Sequence, residues 1–226
     1  MTTRVLLAGA TGLVGRLVAA GLATHPDIVL TSLARRKSLG SGRVIDFERL
    51  CLAPEMTLRA VAPSGIDVAI SCLGTTIRAA GSQAAMVHVD HDYVLAFARG
   101  AHALGARQFI LVSSVGAGGP GFYLRTKGAI ERDITALGFR RVDIVRPGLL
   151  LGHRAEARPG HHAEARPMEA IGQRLAAALA PLMVGKLSPY GAIHAETVAS
   201  AIVRLVDRPG DGRRTYCNSD LRHLAC

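Results

Sequence analysis

Tryptophan is absent from this chain and aromatic residues make up only 4% of it. That scarcity counts against a nucleic-acid platform, which stacks bases on aromatic side chains set among basic ones; here the arginines are dispersed without such neighbours. The formal charge of +10 therefore reads as solvated surface plus attraction for a phosphorylated small molecule, with no dedicated nucleic-acid motif in view. Cysteine is sparse too. Cys51, Cys72, Cys217 and Cys226 lie far apart, which excludes closely spaced metal-binding pairs and the dense pattern of a disulfide scaffold. Reduced structural thiols are expected, and no metal. No apolar run reaches membrane-spanning length. The opening MTTRVLLAGATG enters an apolar segment without a basic, hydrophobic and small-residue leader, so the location expected by default is cytoplasmic.

What the chain does have is small and branched apolar residues. With 226 residues, 49% of them hydrophobic, it can bury a substantial core as a single domain. Short Val/Ile/Leu-rich runs alternate with longer helical stretches, the pattern of parallel strands joined by crossover helices. Strands are predicted at residues 5–8, 28–33, 44–45, 68–71, 109–113 and 142–145, and helices at 13–24, 86–104, 123–137, 168–182 and 196–207. Runs this continuously apolar are buried on both faces. The expected class is α/β, a Rossmann-like doubly wound parallel sheet. After Pro147 the alternation fades, so residues 149–226 are expected to add a small helical lobe on the substrate side of one domain spanning 1–226. Within that lobe HRAEARPG at 153–160 is followed by HHAEARPM at 161–168, matching at six of eight positions. Two short units make a duplicated polar surface loop, not a repeat architecture. Its histidines, His153, His161 and His162, have no cysteine or well-spaced carboxylate companions to suggest a metal.

The motifs that carry chemistry fall where strands end. GATGLVG at 9–15 follows the first strand and opens the first helix. Gly9, Gly12 and Gly15 allow a backbone to approach a pyrophosphate, which the amides of Thr11, Leu13 and Val14 would meet at the helix N-terminus. The alternative is a glycine turn used only for tight strand–helix packing. The second strand ends in Leu33-Ala34-Arg35-Arg36-Lys37, where an NAD enzyme would place an acid against the ribose hydroxyls. Arg35 and Arg36 instead suit a 2′-phosphate, so NADP is the expected cofactor, with NAD a possibility and a solvated basic turn the plain alternative. Asp46-Phe47 follows the third strand, either flanking an adenine pocket or capping a helix. The fourth strand emerges into Cys72, Leu73, Gly74 and Thr75, a small-residue loop at the edge where open sheets hold ligands.

Ser113 and Ser114 end the fifth strand, and the residues leave open which is only a strand-end hydrogen bonder; Ser114 is assigned to the substrate carbonyl. Tyr123 and Lys127 stand four apart in YLRTK, on one face of a helix, so an ammonium can lie beside the phenol and lower its pKa. In this reading Tyr123 is the general acid for carbonyl reduction or the base for alcohol oxidation, Lys127 stabilises its ionised form and holds the nicotinamide ribose, and Pro147 in the RPG turn borders the nicotinamide. The structural alternative is an aromatic helix cap beside an exposed lysine.

GATGLVG, DVAISCLGTT, VDHDYVLAFA, FILVSSVGA, YLRTKGAIE and RPGLLLG occur in this order, and over residues 4–207 the chain resembles the atypical short-chain dehydrogenases, in particular the oxidoreductase family of the HIV Tat-interacting protein. The resemblance implies a Rossmann fold, NADP held by Gly9, Gly12, Gly15 and Arg35, a Ser114/Tyr123/Lys127 site, and a small carbonyl or alcohol substrate. It also implies an alternative, since some members sense NADP(H) and bind partners without turnover. A monomer or a homodimer fits equally. Three features depart from the family pattern: Ser114 and Tyr123 are only nine residues apart, His88 stands near the place where extended members carry Asn, and the C-terminal lobe is small, so the sugar-nucleotide pocket of epimerase-like relatives is not expected.

Overall fold

The computed structural model describes residues 2–35, 42–152 and 191–226. Its strands are β1 (Thr3–Ala8), β2 (Ile28–Ala34), β3 (Arg43–Val44), β4 (Val68–Ser71), β5 (Gln108–Val112), β6 (Arg141–Val145), β7 (Leu149–Leu151), β8 (Ala192–His194) and β9 (Gly212–Tyr216). The helices are α1 (Leu13–Ala23), α2 (Phe47–Leu52), α3 (Pro54–Arg59), α4 (Ile77–Ala80), α5 (Gln83–Val87), α6 (Tyr93–Ala103), α7 (Phe122–Ala136), α8 (Ala195–Leu205) and α9 (Asn218–Ala225), with a π-helical turn, His88–Asp92, between α5 and α6.

Seven strands form one sheet in the order β3-β2-β1-β4-β5-β6-β9, every pair parallel. Successive side chains of a strand point to opposite faces, and both faces are covered. Leu6 and Ala8 of β1 join Leu50, Leu58, Phe97, Phe109 and Ile130 beneath α2, α3, α6 and α7. Val5 and Leu7 join Val14, Leu22, Val198, Ile202 and Leu221 beneath α1, α8 and α9. The chain leaves β1 towards β2 in one direction and later returns to add β4 in the other, so β1 and β4 flank the point where the winding reverses. A crevice opens beyond the carboxyl ends of strands at such a point.

Most expected elements are present within a residue or two. Two are not as expected, each for a tertiary reason. The helix predicted across 86–104 is interrupted by the π turn, which admits an extra residue, and Asp90 within it is buried. The tail after residue 207 does not stay in a lobe: β9 pairs with β6 from Arg141↔Gly212 to Val145↔Tyr216. Its GRRTY sequence has no apolar alternation because four of its five residues are exposed at the sheet edge. What fastens it is polar. Tyr216 Oη donates to Asp143 Oδ1 at 3.1 Å, and Asp143 is paired with Arg141 at 2.7 Å. The helix predicted at 168–182 and the octapeptide duplication lie outside the described residues.

Candidate active site

The glycine turn does two separate things. Gly9 has φ +87°, and a Cβ there would stand 2.5 Å from the Cys72 carbonyl carbon; one on Gly15 would stand 2.1 Å from Gly9 O. Both glycines are therefore required by the packing of β1, α1 and the exit of β4, as the tight-packing alternative anticipated. Gly12 is different. Only Gly9 O, at 3.3 Å, comes near an added Cβ, and Gly12 caps α1 with no side-chain hydrogen bond and no acidic residue in the first turn. Its bare backbone leaves the amides at the head of α1 accessible to an anion.

Across the switch point, Cys72 N donates to Ala8 O at 2.8 Å, bringing Cys72, Leu73, Gly74 and Thr75 beside the turn. Burial pushes the Cys72 thiol up to about 12, so this residue presents backbone and a neutral thiol, not a nucleophile. Gly74 lies against Asp90 Oδ1 and Lys127 Nζ, each at van der Waals distance, 3.6 Å, from where its Cβ would stand.

Lys127 is buried on α7 with its Nζ 5.8 Å from the centroid of the half-buried Tyr123 ring. The spacing of four brought these two together as the helix period requires. The same Nζ lies 2.7 Å from Asp90 Oδ1, and Asp90 Oδ2 accepts the Thr75 amide at 2.7 Å. One buried carboxylate thus ties α7 to the loop after β4.

The two strand-end serines separate. Ser113 Oγ donates to Glu131 Oε1 at 2.5 Å, and Glu131, also buried, is gripped by Arg146 through Nε at 2.9 Å and again through Nη2. Ser113 is thereby committed to the scaffold. Ser114 makes only a 3.3 Å contact with the neighbouring Val115 carbonyl, long enough for the hydroxyl to turn to a better acceptor. The nine residues to Tyr123 suffice because the segment folds onto α7: Gly116, Gly118 and Gly121 all have positive φ. Gly118 N bonds Leu124 O at 2.8 Å, and Gly128 has no side chain that would strike Gly118. Pro147 is buried and its carbonyl accepts Val115 N at 3.0 Å, joining the serine loop to the RPG turn.

Arg35 stands apart, exposed at the end of β2 and lining a cavity of about 330 Å³ with Val44, Ile45, Asp46, Phe47, Glu48 and Tyr93. Asp46 is a helix cap, accepting from the Glu48 and Arg49 amides at 2.8 and 3.3 Å. Glu48 accepts from Tyr93 Oη and faces His88 Nε2 at 3.0 Å. The Tyr93 and His88 contacts hold the Glu48 carboxyl below its ordinary value, while burial and then Glu48 push the Tyr93 phenol up to about 12. His88 thus braces α2, and no contact links it to Lys127. Arg36 and Lys37 lie outside the described residues, as do His153, His161 and His162.

Asp90 and Glu131 escaped the sequence reading. Each had a signal. Asp90 falls on the 3.6-residue stripe Met86, Asp90, Val94, Phe97, and Glu131 on the stripe Lys127, Glu131, Ile134, acids at positions reserved for core residues.

A family profile described as the NAD dependent epimerase/dehydratase family matches residues 5–216. The chain belongs to that family. Protein HTATIP2 of Rattus norvegicus is 35% identical over 184 residues, 80% of this chain and 68% of its own. The protein fmp52, mitochondrial, of Emericella nidulans is 34% identical over 180 residues, covering 75% and 76%. Among solved structures, the fold resembles a short-chain dehydrogenase/reductase superfamily protein from Agrobacterium tumefaciens with bound NAD, at TM-score 0.66 and 17% identity over 98% of this chain and 80% of that one. It also resembles the Bordetella bronchiseptica enzyme WbmH in complex with NAD+, at TM-score 0.65 and 13% identity over 96% and 76%. Membership in the epimerase/dehydratase family and the Rossmann-like sheet support an NAD(P)-dependent oxidoreductase of the short-chain dehydrogenase type. One expectation is overturned. Several curated relatives carry "mitochondrial" in their names, which points away from the cytoplasm; the composition of the opening residues was too weak a basis for location. Among the described residues no helix is long and apolar enough to cross a membrane.

Proposed function

We propose that this protein is an NADP(H)-dependent oxidoreductase that interconverts a small carbonyl compound and its alcohol. The observation that carries the reading is the buried Lys127 ammonium beneath the Tyr123 ring, at the loop where β4 empties into the crevice. The residues present fit a dinucleotide: Gly12 exposes the head of α1, and Gly74 brings the backbone of the β4 loop against Lys127. The backbone of Thr11, Gly12, Leu13 and Val14 would hold the pyrophosphate, and Leu73, Gly74, Thr75, Lys127 and Pro147 the nicotinamide half. When bound, the coenzyme supplies or accepts the hydride at the substrate carbon.

The chain's own residues do the rest. Ser114 donates a hydrogen bond to the carbonyl oxygen and polarises it. Tyr123 gives its phenolic proton to that oxygen as the C–H bond forms, and takes it back in the oxidation direction. An ammonium has three N–H donors; Lys127 is held as an ion pair by Asp90, and its donors would serve the ribose hydroxyls. At the far end Arg35 would meet a 2′-phosphate. The two nearby acids do not oppose it freely, since Asp46 is turned to its helix amides and Glu48 to Tyr93 and His88.

Replacing Tyr123 by Phe tests the reading. NADPH oxidation with a panel of small aldehydes and ketones should fall by about 100-fold or more, while NADPH affinity, followed by nucleotide fluorescence, stays within about threefold. A wild-type chain that binds NADPH yet shows no Tyr123-dependent oxidation across the panel would favour a cofactor-sensing, partner-binding protein.

A further inference from the structure

Asn218 belongs to none of the motifs read from the sequence, yet its side chain is fully buried at the start of α9. A buried amide needs partners at both ends. Its Oδ1 accepts the Gly148 amide at 2.9 Å, and its Nδ2 donates to Gly191 O at 2.7 Å. One neighbour is a donor and the other an acceptor, so only one orientation of the side-chain amide satisfies both.

Gly148 N and Pro147 O belong to the same peptide unit, which is planar and resists rotation about its C–N bond. Asn218 holds the N–H of that unit, while Val115 N donates to its carbonyl at 3.0 Å. Val115 follows Ser114, and the Ser113 amide before it is tied to Val145 O at 2.8 Å. Ser114 is therefore slung between two amides fastened to β6 and to the RPG turn. Its own hydroxyl gives little further support, touching only the Val115 carbonyl at 3.3 Å. The segment that carries Asn218 grips the turn a second time, since Arg146 N donates to Tyr216 O at 2.8 Å. Its own lead into α9 is fixed in turn, with Asp220 Oδ2 accepting the Cys217 amide at 2.8 Å.

We propose that Asn218 is a positioning residue: by pinning the Pro147–Gly148 peptide it keeps Ser114 and the RPG turn in place, so that the C-terminal segment completes a site otherwise built on β4, β5, β6 and α7. The proposal rests on the reading of the crevice as a dinucleotide site with Pro147 at its nicotinamide half, and adds to it a residue that touches neither coenzyme nor substrate.

Two readouts separate positioning from mere stabilisation, and neither needs a substrate. Asn218→Leu keeps a side chain of similar size and removes both hydrogen bonds. In the full-length protein, amide hydrogen exchange should quicken about tenfold or more at Gly148 and Val115, and stay within about twofold at Cys72, whose amide is tied to Ala8 O. Affinity for NADPH should fall about fivefold or more, while that for 2′-phospho-ADP-ribose, the coenzyme without its nicotinamide, stays within about twofold. Asn218→Asp keeps an acceptor for Gly148 and should leave the Val115 amide protected. An unchanged Val115 amide in Asn218→Leu overturns the proposal. So does an equal loss of affinity for both ligands, which would mean that Asn218 serves only the stability of the fold. Asn218→Ala carries the same test should the leucine variant fail to fold, and the wild type alone can refute it, by a Gly148 amide that exchanges as freely as an exposed loop. A wild type that binds neither ligand overturns the dinucleotide reading and the proposal with it; one that binds both, with no split in the variant, loses only the proposal.

Discussion

The two ends of the crevice are built on opposite physical terms. Beside the loop after β4 the charged groups are enclosed: Asp90, Lys127 and Glu131 have side chains no more than 4% exposed, and Asp90 and Glu131 are each tied to more than one element. At the end of β2 the charges stand in water. Arg35 is exposed, the Glu48 side chain is 63% exposed and that of His88 40%. Enclosed ion pairs hold geometry and are costly to break, because removing one partner strands the other in a poor solvent. Exposed charges contribute little to stability, and can shift at low cost to meet a ligand's phosphate. In the proposed function, one end fixes where the reacting groups sit and the other is left free to select the nucleotide.

That contrast is most exposed to failure at Glu131. Changing Glu131 to Gln keeps an oxygen for Ser113 but leaves Arg146 without its buried carboxylate, so unfolding free energy should fall by about 3 kcal/mol. For a chain of this size the melting temperature should drop by roughly 6–12 °C, read by calorimetry. A loss under about 2 °C would mean that the enclosed network is no stiffer than the surface.

Arg35→Ala should behave in the reverse manner, with the melting point nearly unmoved and NADPH affinity reduced about 10- to 100-fold while NADH affinity stays the same. Titration with both nucleotides measures the difference. Equal losses for both would assign Arg35 to the shared adenosine half, and no loss would remove it from the site.

The smallest effect is expected at His88. Its ring faces Asp92 and Glu48, each at 3.0 Å, and those hydrogen bonds raise its pKa above the ordinary 6.5. A group with a raised folded pKa contributes stability that is full below pH 6.5 and is lost as the pH climbs through the folded value. Between pH 6 and 8 the melting temperature of His88→Asn should therefore approach that of wild type, closing a gap of about 2 °C or less. A gap that widened with pH would contradict this assignment.

Parallel strands, the order of the motifs and the Tyr123–Lys127 pairing were all legible before any coordinates. They depend on local periods: two residues in a buried strand, 3.6 in a helix, and glycine where a strand turns into one. The serine loop was half legible, since two adjacent hydroxyls look alike until Glu131, eighteen residues on, takes Ser113. Strand β9 was not legible, because an edge strand held by Arg141, Asp143 and Tyr216 carries no apolar alternation. Nor was the break in the helix at His88–Asp92.

From its residues alone, then, this chain announces a nucleotide-binding sheet and a tyrosine–lysine couple, since short-range geometry places both. The ion pair that holds Lys127 comes from Asp90, thirty-seven positions away, and a contact across that span exists only once α7 and the π turn are packed against the same strands.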